Sequence, residues 1–270
     1  MTIHIDDDMD LAKIAESGQC FRWQRLGENT WRIPSMDRCL IISDKGDGDF
    51  EADCTEEEFD KIWSPYFDLH TSYRDVRDAI DPKKEPFLKE ASDSEQGIRI
   101  LRQDLWETLI SFIISQNRNI PAISRSIELL CKAASSPKTD SKGEEYYPFP
   151  SPEEVAAMSD EALGSCALGY RDRYIRLTAE QVASGAYSLE ELTGMSDENS
   201  LERLMELTGV GVKVANCVLL FGLHRLDAFP IDVWMKRILA DKYPGGYPME
   251  EHRPWNGIYQ QYMFAYYRKL

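Results

Sequence analysis

Two short segments carry residue types that can do chemistry together. They are Leu207-Thr208-Gly209-Val210-Gly211-Val212-Lys213-Val214-Ala215 and Phe229-Pro230-Ile231-Asp232-Val233-Trp234. Lys213 and Asp232 each stand where a helix is expected to begin, and an aspartate there is an ordinary N-cap. Taken singly, the lysine reads as a solvated side chain at a turn and the aspartate as a simple cap. Taken together, they read as an amine and a carboxylate flanking one cleft. A partly desolvated amine beside helix N-termini gives up its proton more easily. The neutral amine is a nucleophile toward an electrophilic sugar carbon and can form a Schiff base. The carboxylate can stabilise an oxocarbenium-like centre or relay protons.

The elements that must hold this pair follow from the glycines. Gly209 and Gly211 admit φ > 0 and close backbone approach. They predict a tight turn between a helix over 200–206 and another over 213–223. Amides at the start of the second helix then point outward with positive dipole character, which makes an anion site. With a phosphodiester as the anion, this is a helix-hairpin-helix element that grips backbone without reading sequence. The same residues also fit an αα-hairpin that only packs two helices.

Further out, residues 20–54 read as short strands separated by turn residues. Cys20-Phe21-Arg22-Trp23-Gln24 and Thr30-Trp31-Arg32-Ile33 alternate, and Arg38-Cys39-Leu40-Ile41-Ile42 is a short apolar run. The connections are too short for crossovers, so the pairing is antiparallel. A helix is predicted over 53–67, with Phe59, Ile62 and Trp63 on one face. From about residue 73 the period becomes helical and stays so, with Ile98, Leu101 and Leu105 as one such face. A polar loop is expected over 135–152. Ser151-Pro152-Glu153-Glu154 then opens a helix with a capping serine and a proline in the first turn. The fold class is α+β: a β-rich domain over 1–95 and an all-helical domain over 96–270.

Composition narrows the function. The chain has 270 residues, 43% hydrophobic and 29% charged, which excludes disorder and collagen. The longest apolar stretch, 214–223, is interrupted by Asn216 and is far short of the roughly twenty residues of a membrane span. The N-terminus lacks a basic region and an apolar core, so no secretory signal is expected. Six scattered cysteines, at 20, 39, 54, 131, 166 and 217, match no zinc or iron–sulfur spacing and read as reduced thiols. The net charge of −16 argues against a nucleic-acid partner when taken alone. Yet residues 1–95 hold 12 basic and 24 acidic side chains, against 19 and 23 in the remainder. The acidity belongs mostly to the first third, and the rest can still meet a polyanion through a local patch.

With these residues in view, the chain resembles the helix-hairpin-helix/Gly-Pro-Asp superfamily of DNA glycosylases. Within it, the chain is similar to the 8-oxoguanine DNA glycosylase/AP lyases. The hairpin and the Asp232 segment carry the likeness. It is extended by Ser17-Gly18-Gln19-Cys20-Phe21-Arg22-Trp23, Gly97-Ile98-Arg99-Ile100-Leu101-Arg102-Gln103-Asp104, Ser115-Gln116-Asn117-Arg118-Asn119-Ile120 and Leu168-Gly169-Tyr170-Arg171-Asp172-Arg173-Tyr174. These matches run from Ser17 nearly to the C-terminus in the family's order.

The resemblance implies a TATA-binding-protein-like antiparallel sheet followed by a helical body. It also implies roles. Lys213 matches the lysine that attacks C1′, and Asp232 the superfamily's essential aspartate. Gly18 matches the glycine whose carbonyl accepts from N7–H of the oxidised base; guanine has an acceptor there and would be refused. Cys217 and Phe264 match the two faces that sandwich that base, and Gln260 the residue reading its Watson–Crick edge. Asn117 matches the filler of the hole left by the extruded nucleotide, Arg171 a second contact to the opposite cytosine, and Tyr170 a wedge beside it. Gly209 and Gly211 hold the DNA backbone.

The implied partner is duplex DNA containing oxidised guanine, bound by a monomer with no membrane association. No redox cofactor or catalytic divalent metal is implied. The implied compartment is the cytoplasm with its nucleoid in a bacterium, or the nucleus in a eukaryote. Two departures stand out. Ala122 lies where many eukaryotic members carry a basic residue, and Trp234 where they carry histidine. Three other readings remain. An alkylated-base glycosylase would lack the lysine. A thymine-glycol lyase of the endonuclease III type would carry a different cysteine pattern and no β-domain. A non-enzymatic DNA-binding module would use the hairpin alone.

Overall fold

The structure is a computed structural model and describes all residues from Met1 to Leu270. Strands β1 (Thr2–His4), β2 (Gln24–Arg25), β3 (Thr30–Ser35), β4 (Arg38–Gly46) and β5 (Asp49–Ala52) form one antiparallel sheet in the order β1-β5-β4-β3-β2. Trp31 lies opposite Ile42 and Ile33 opposite Leu40. Such aromatic and β-branched pairs favour the pleated, half-buried surface they sit on. One face of the sheet is covered by α1 (Leu11–Glu16) and by a helical run made of α2 (Glu56–Glu58), a π turn (Phe59–Trp63) and α3 (Ser64–Tyr66). Leu11, Ile14, Phe59 and Trp63 join Ile33, Leu40 and Phe50 in one apolar cluster. The helix expected over 53–67 is thus present but begins after Thr55, whose hydroxyl accepts from Glu58 N at 3.1 Å.

The remaining helices gather round a second, larger core. They are α4 (Tyr73–Asp78), α5 (Pro86–Ser94), α6 (Leu105–Ser115), α7 (Ile120–Ala134), α8 (Pro152–Ala156), α9 (Asp160–Gly164), α10 (Arg171–Ala183), α11 (Asp197–Met205), α12 (Val212–Phe221), α13 (Val233–Lys242) and α14 (Asn256–Tyr267). Helices α6 and α12 are apolar nearly all round and lie at its centre, where Phe112 stacks on Phe221 at 5.4 Å. No helix is long and apolar enough to cross a membrane. Tyr73, Val76 and Leu88 pack in this larger core although they precede residue 95. The packing break therefore falls earlier in the chain than the composition break.

Three sequence expectations need correction. Cys20–Trp23 is not a strand; only Gln24–Arg25 pairs. Its alternation has another cause: Cys20 and Trp23 pack in the sheet's core while Phe21 packs against the helical core. Residues 98–104 are not helical. They run between the two cores, with Ile98 and Ile100 on one side and Leu101 on the other. Their backbone finds partners elsewhere: Ile100 N donates to Tyr73 Oη at 2.9 Å and Leu101 N to Gln19 Oε1 at 2.8 Å, while Arg102 N and Gln103 N donate to the carbonyls of Tyr66 and Phe221. The Arg99 guanidinium, fully buried, donates to the carbonyls of Asp8, Phe67, Asp68 and Thr71 and to the Asp7 carboxylate. Finally, the loop over 135–152 contains a small hairpin of β6 (Lys138–Thr139) and β7 (Glu145–Tyr146).

Candidate active site and nucleic-acid interface

The turn between α11 and α12 uses its two glycines differently. Gly209 sits at φ +85°, and a Cβ there would come within 2.4 Å of the Tyr174 ring. Both facts demand glycine. Gly211 has an extended backbone, φ −99°, and nothing lies within 4 Å of where its Cβ would be. What it supplies is open space, not an unusual dihedral. It is the N-cap of α12 and has no side chain to cap with. The first amides of a ten-residue helix are therefore left for an outside acceptor.

Lys213 is the second residue of α12, and Asp232 is the N-cap of α13. Asp232 Oδ1 accepts from Trp234 N at 2.9 Å and Met235 N at 2.8 Å. That fixes the carboxylate's orientation and leaves its other oxygen for the cavity. Both residues line one cavity of about 730 Å³, together with Gly18, Phe112, Asn117 and Phe264. Lys213 Nζ stands 5.1 Å from the centroid of the Phe112 ring. Cys217, one turn further along α12, is buried, and burial pushes its thiol up to about 11. The nearby Lys213 pulls the other way, and Asp232 is near enough to add an upward push.

The far side of the cavity is aromatic. Gly18, at φ +80°, leaves 3.5 Å between where its Cβ would be and Phe264 Cε1. The Arg268 guanidinium lies 5.1 Å above the Phe264 ring. Gln260, one turn before Phe264 on α14, is only 3% exposed and does not line the cavity. Its Oε1 accepts from Gln261 Nε2 at 3.0 Å.

The cavity has its own charge. Arg118, Lys213, Lys236 and Arg268 line it, and Asp232 is its single carboxylate. A locally cationic hollow thus sits in a chain of net charge −16, because the acidic side chains are sorted to other surfaces. Near a phosphodiester the local patch governs contact, since surface charges beyond about 10 Å are screened.

Asn117 is exposed at the end of α6, at φ +52°. Tyr170 is 53% exposed and meets Tyr174 edge-on at 5.7 Å. Arg171 differs from its expected outward role: it is 5% exposed, bonded to the carbonyls of Leu168 and Gln116, with its guanidinium 4.4 Å over the Tyr170 ring. The structure therefore brings Lys213, Asp232, Gly18, Phe264, Asn117 and Gly211 to one cavity and leaves Cys217, Gln260, Gly209, Arg171 and Tyr170 outside its lining. Phe112 and Gln116 were missed in the sequence. Phe112 lies in an apolar run that reads as core, and nothing local marks Gln116.

Comparison with known proteins agrees with this geometry. Residues 2–109 match the 8-oxoguanine DNA glycosylase N-terminal domain, and 110–244 match the HhH-GPD superfamily of base excision DNA repair proteins. An N-glycosylase/DNA lyase of Saccharomyces cerevisiae is 34% identical over 261 residues, covering 87% of this chain and 69% of the yeast protein. A solved structure of MBOgg1 in complex with a low affinity DNA ligand superposes with TM-score 0.93 at 38% identity, covering 99% of this chain and 95% of that one. The 8-oxoguanine glycosylase/lyase of Clostridium acetobutylicum, in complex with double-stranded DNA containing cytosine opposite 8-oxoguanine, superposes with TM-score 0.90 at 31% identity, covering 100% and 98%. An antiparallel sheet domain, a glycine hairpin opening onto Lys213, and Asp232 across one cationic cavity place this chain in the 8-oxoguanine DNA glycosylase family of the HhH-GPD superfamily.

Proposed function

We propose that this protein excises 8-oxoguanine from duplex DNA and then cuts the strand as an AP lyase. The observation that carries the reading is the shared cavity of Lys213 and Asp232, walled by Phe264 and Gly18. The damaged nucleotide is turned out of the stack into this cavity. Lys213, as the neutral amine, attacks C1′; the C1′–N9 bond breaks, and its electron pair leaves with the base, which takes up a proton. The Asp232 carboxylate stabilises the positive charge that develops on the sugar. Loss of the ring oxygen bond gives a Schiff base between Nζ and C1′. Removal of a C2′ proton then expels the 3′ phosphate, and water releases the amine.

The other residues follow the family's pattern. Gly18 and Phe264 hold the base, with Cys217 and Gln260 buried behind the cavity wall, and Asn117 and Tyr170 refill the stack. The amides after Gly211 hold a phosphate. We propose further that the chain acts as a monomer, free of membranes, in the compartment that holds the DNA. Lys213 speaks against the alkylated-base reading, because a monofunctional enzyme needs no such amine. The test is incubation with duplexes carrying 8-oxoguanine opposite each of the four bases. Release of the base with strand scission supports the reading. Binding without release favours a DNA-binding module.

A further inference from the structure

Asn117 and Tyr170 come from separate loops, and the structure ties these loops together in both directions. Arg118, beside Asn117, donates through one guanidinium nitrogen to the carbonyl of Ala167 and through the other to Ser126 Oγ at 2.6 Å. Arg171, beside Tyr170, donates back to the carbonyl of Gln116 and to that of Leu168 at 3.1 Å. Ser126 Oγ adds a second donor to the Ala167 carbonyl at 3.0 Å. Gln116 then reaches a third loop: its Nε2 donates to Gly209 O at 3.0 Å, inside the glycine hairpin, and to Ile113 O at 3.1 Å. On the other side, Tyr174 fills the space that a Cβ on Gly209 would need and meets Tyr170 edge-on.

These bonds hold backbone that would not hold itself. Ala167 sits at φ +55°, a region that L-residues other than Asn and Asp seldom occupy; Asn117, at φ +52°, is of the type that adopts it readily. Such conformations persist where the surroundings over-determine them. Here, the two donors on the Ala167 carbonyl do so. A side chain that must enter a duplex gains most when it is already in place, because ordering it at each encounter subtracts from the binding.

We propose that Gln116 and Arg118 are positioning residues. They join the Asn117 loop, the Tyr170 loop and the glycine hairpin into one preformed wedge, so that phosphate capture and stack filling occur in a fixed geometry. The proposal rests on the glycosylase reading above. Neither residue touches the reacting atoms; each acts through Asn117 and the hairpin.

The test uses the full-length protein with Gln116→Leu and Arg118→Leu, assayed by single-turnover excision on two duplexes. In one, 8-oxoguanine lies opposite cytosine. In the other, it lies opposite a stable abasic sugar, where no partner base has to be separated. Loss of one or two hydrogen bonds predicts a deficit of about tenfold opposite cytosine for each variant. The deficit shrinks to under about threefold opposite the abasic sugar, because extrusion is cheapest there. Excision is read at saturating enzyme, so a loss of duplex affinity from removing the Arg118 charge, which is the same on both duplexes, does not enter the comparison.

If a leucine variant fails to fold, Arg118→Lys carries the same comparison. It keeps the charge and loses the fork that reaches two acceptors. It should show a smaller deficit opposite cytosine and again a lesser one opposite the abasic sugar. Equal deficits on the two duplexes at unchanged melting temperature, or no deficit at all, would overturn the proposal. Absence of excision by the wild-type chain on either duplex would instead count against the glycosylase reading itself.

Discussion

Gly18 lies against Phe264 on one wall of the cavity, with 3.5 Å between Phe264 Cε1 and the place where a Cβ on Gly18 would be. A methyl group would fit there by contact alone, but φ at Gly18 is +80°. Gly18→Ala is therefore expected to cost about 1–2 kcal/mol of stability through the backbone. It should also move the Gly18 carbonyl and weaken discrimination between 8-oxoguanine and guanine. Thermal unfolding and paired excision assays on the two bases check this. An alanine variant of unchanged stability and selectivity would contradict it.

Gly209 has no such room. Its Cβ would press to 2.4 Å from the Tyr174 ring at a positive φ of 85°. Overpacking and strain together predict a destabilisation of about 2–4 kcal/mol for Gly209→Ala. Removing the ring in the same chain should recover part of that cost, because the two positions touch. A double variant, Gly209→Ala with Tyr174→Ala, that is as unstable as the sum of the singles would show that the contact is not the cause.

Asp232 has two duties that one substitution separates. Asparagine caps helices about as well as aspartate. Asp232→Asn should leave the melting temperature nearly unchanged while excision falls by about a hundredfold or more, as when a group stabilising transition-state charge is removed. Equal activity in the two proteins would reduce Asp232 to a cap.

Glu107 gives a pH signature away from the chemistry. Burial lifts its carboxyl from 4.5 to about 6, with Arg22 opposing. The folded state then binds the proton more tightly than the unfolded chain. This contribution is complete below pH 4.5 and is lost as pH rises through 6. Its size is roughly 2 kcal/mol. Asp104, also pushed up by burial, acts with the same sign. Asp68, which burial pushes up but its contacts with His224 and Arg102 hold low, acts oppositely and only in stronger acid. Denaturant titrations across this range should show stability falling for Glu107 and a flatter profile for Glu107→Gln. Parallel profiles would refute the assignment.

What the sequence made legible was local. The Gly209–Lys213 turn, the caps at Ser151 and Asp232, and the β3–β4 pairing each announce themselves within a few residues. Residues 98–104 did not, because Ile98, Ile100 and Leu101 are apolar for the sake of two different cores, and a two-sided pattern mimics a helical one. Gln116 was silent for a related reason: its partner Gly209 lies far along the chain. The net charge misled in the same way, since the cavity's cations come from α7, α12, α13, α14 and their flanking loops and no linear window shows their sum.

The central claim is that Lys213 forms the covalent bond to the sugar. Borohydride reduction during turnover on a duplex bearing 8-oxoguanine opposite cytosine tests it most directly. The wild-type chain should be trapped as a covalent protein–DNA adduct, and Lys213→Gln should bind the duplex and give none. An adduct of equal yield from Lys213→Gln, or none from the wild type while the base is released, would contradict it.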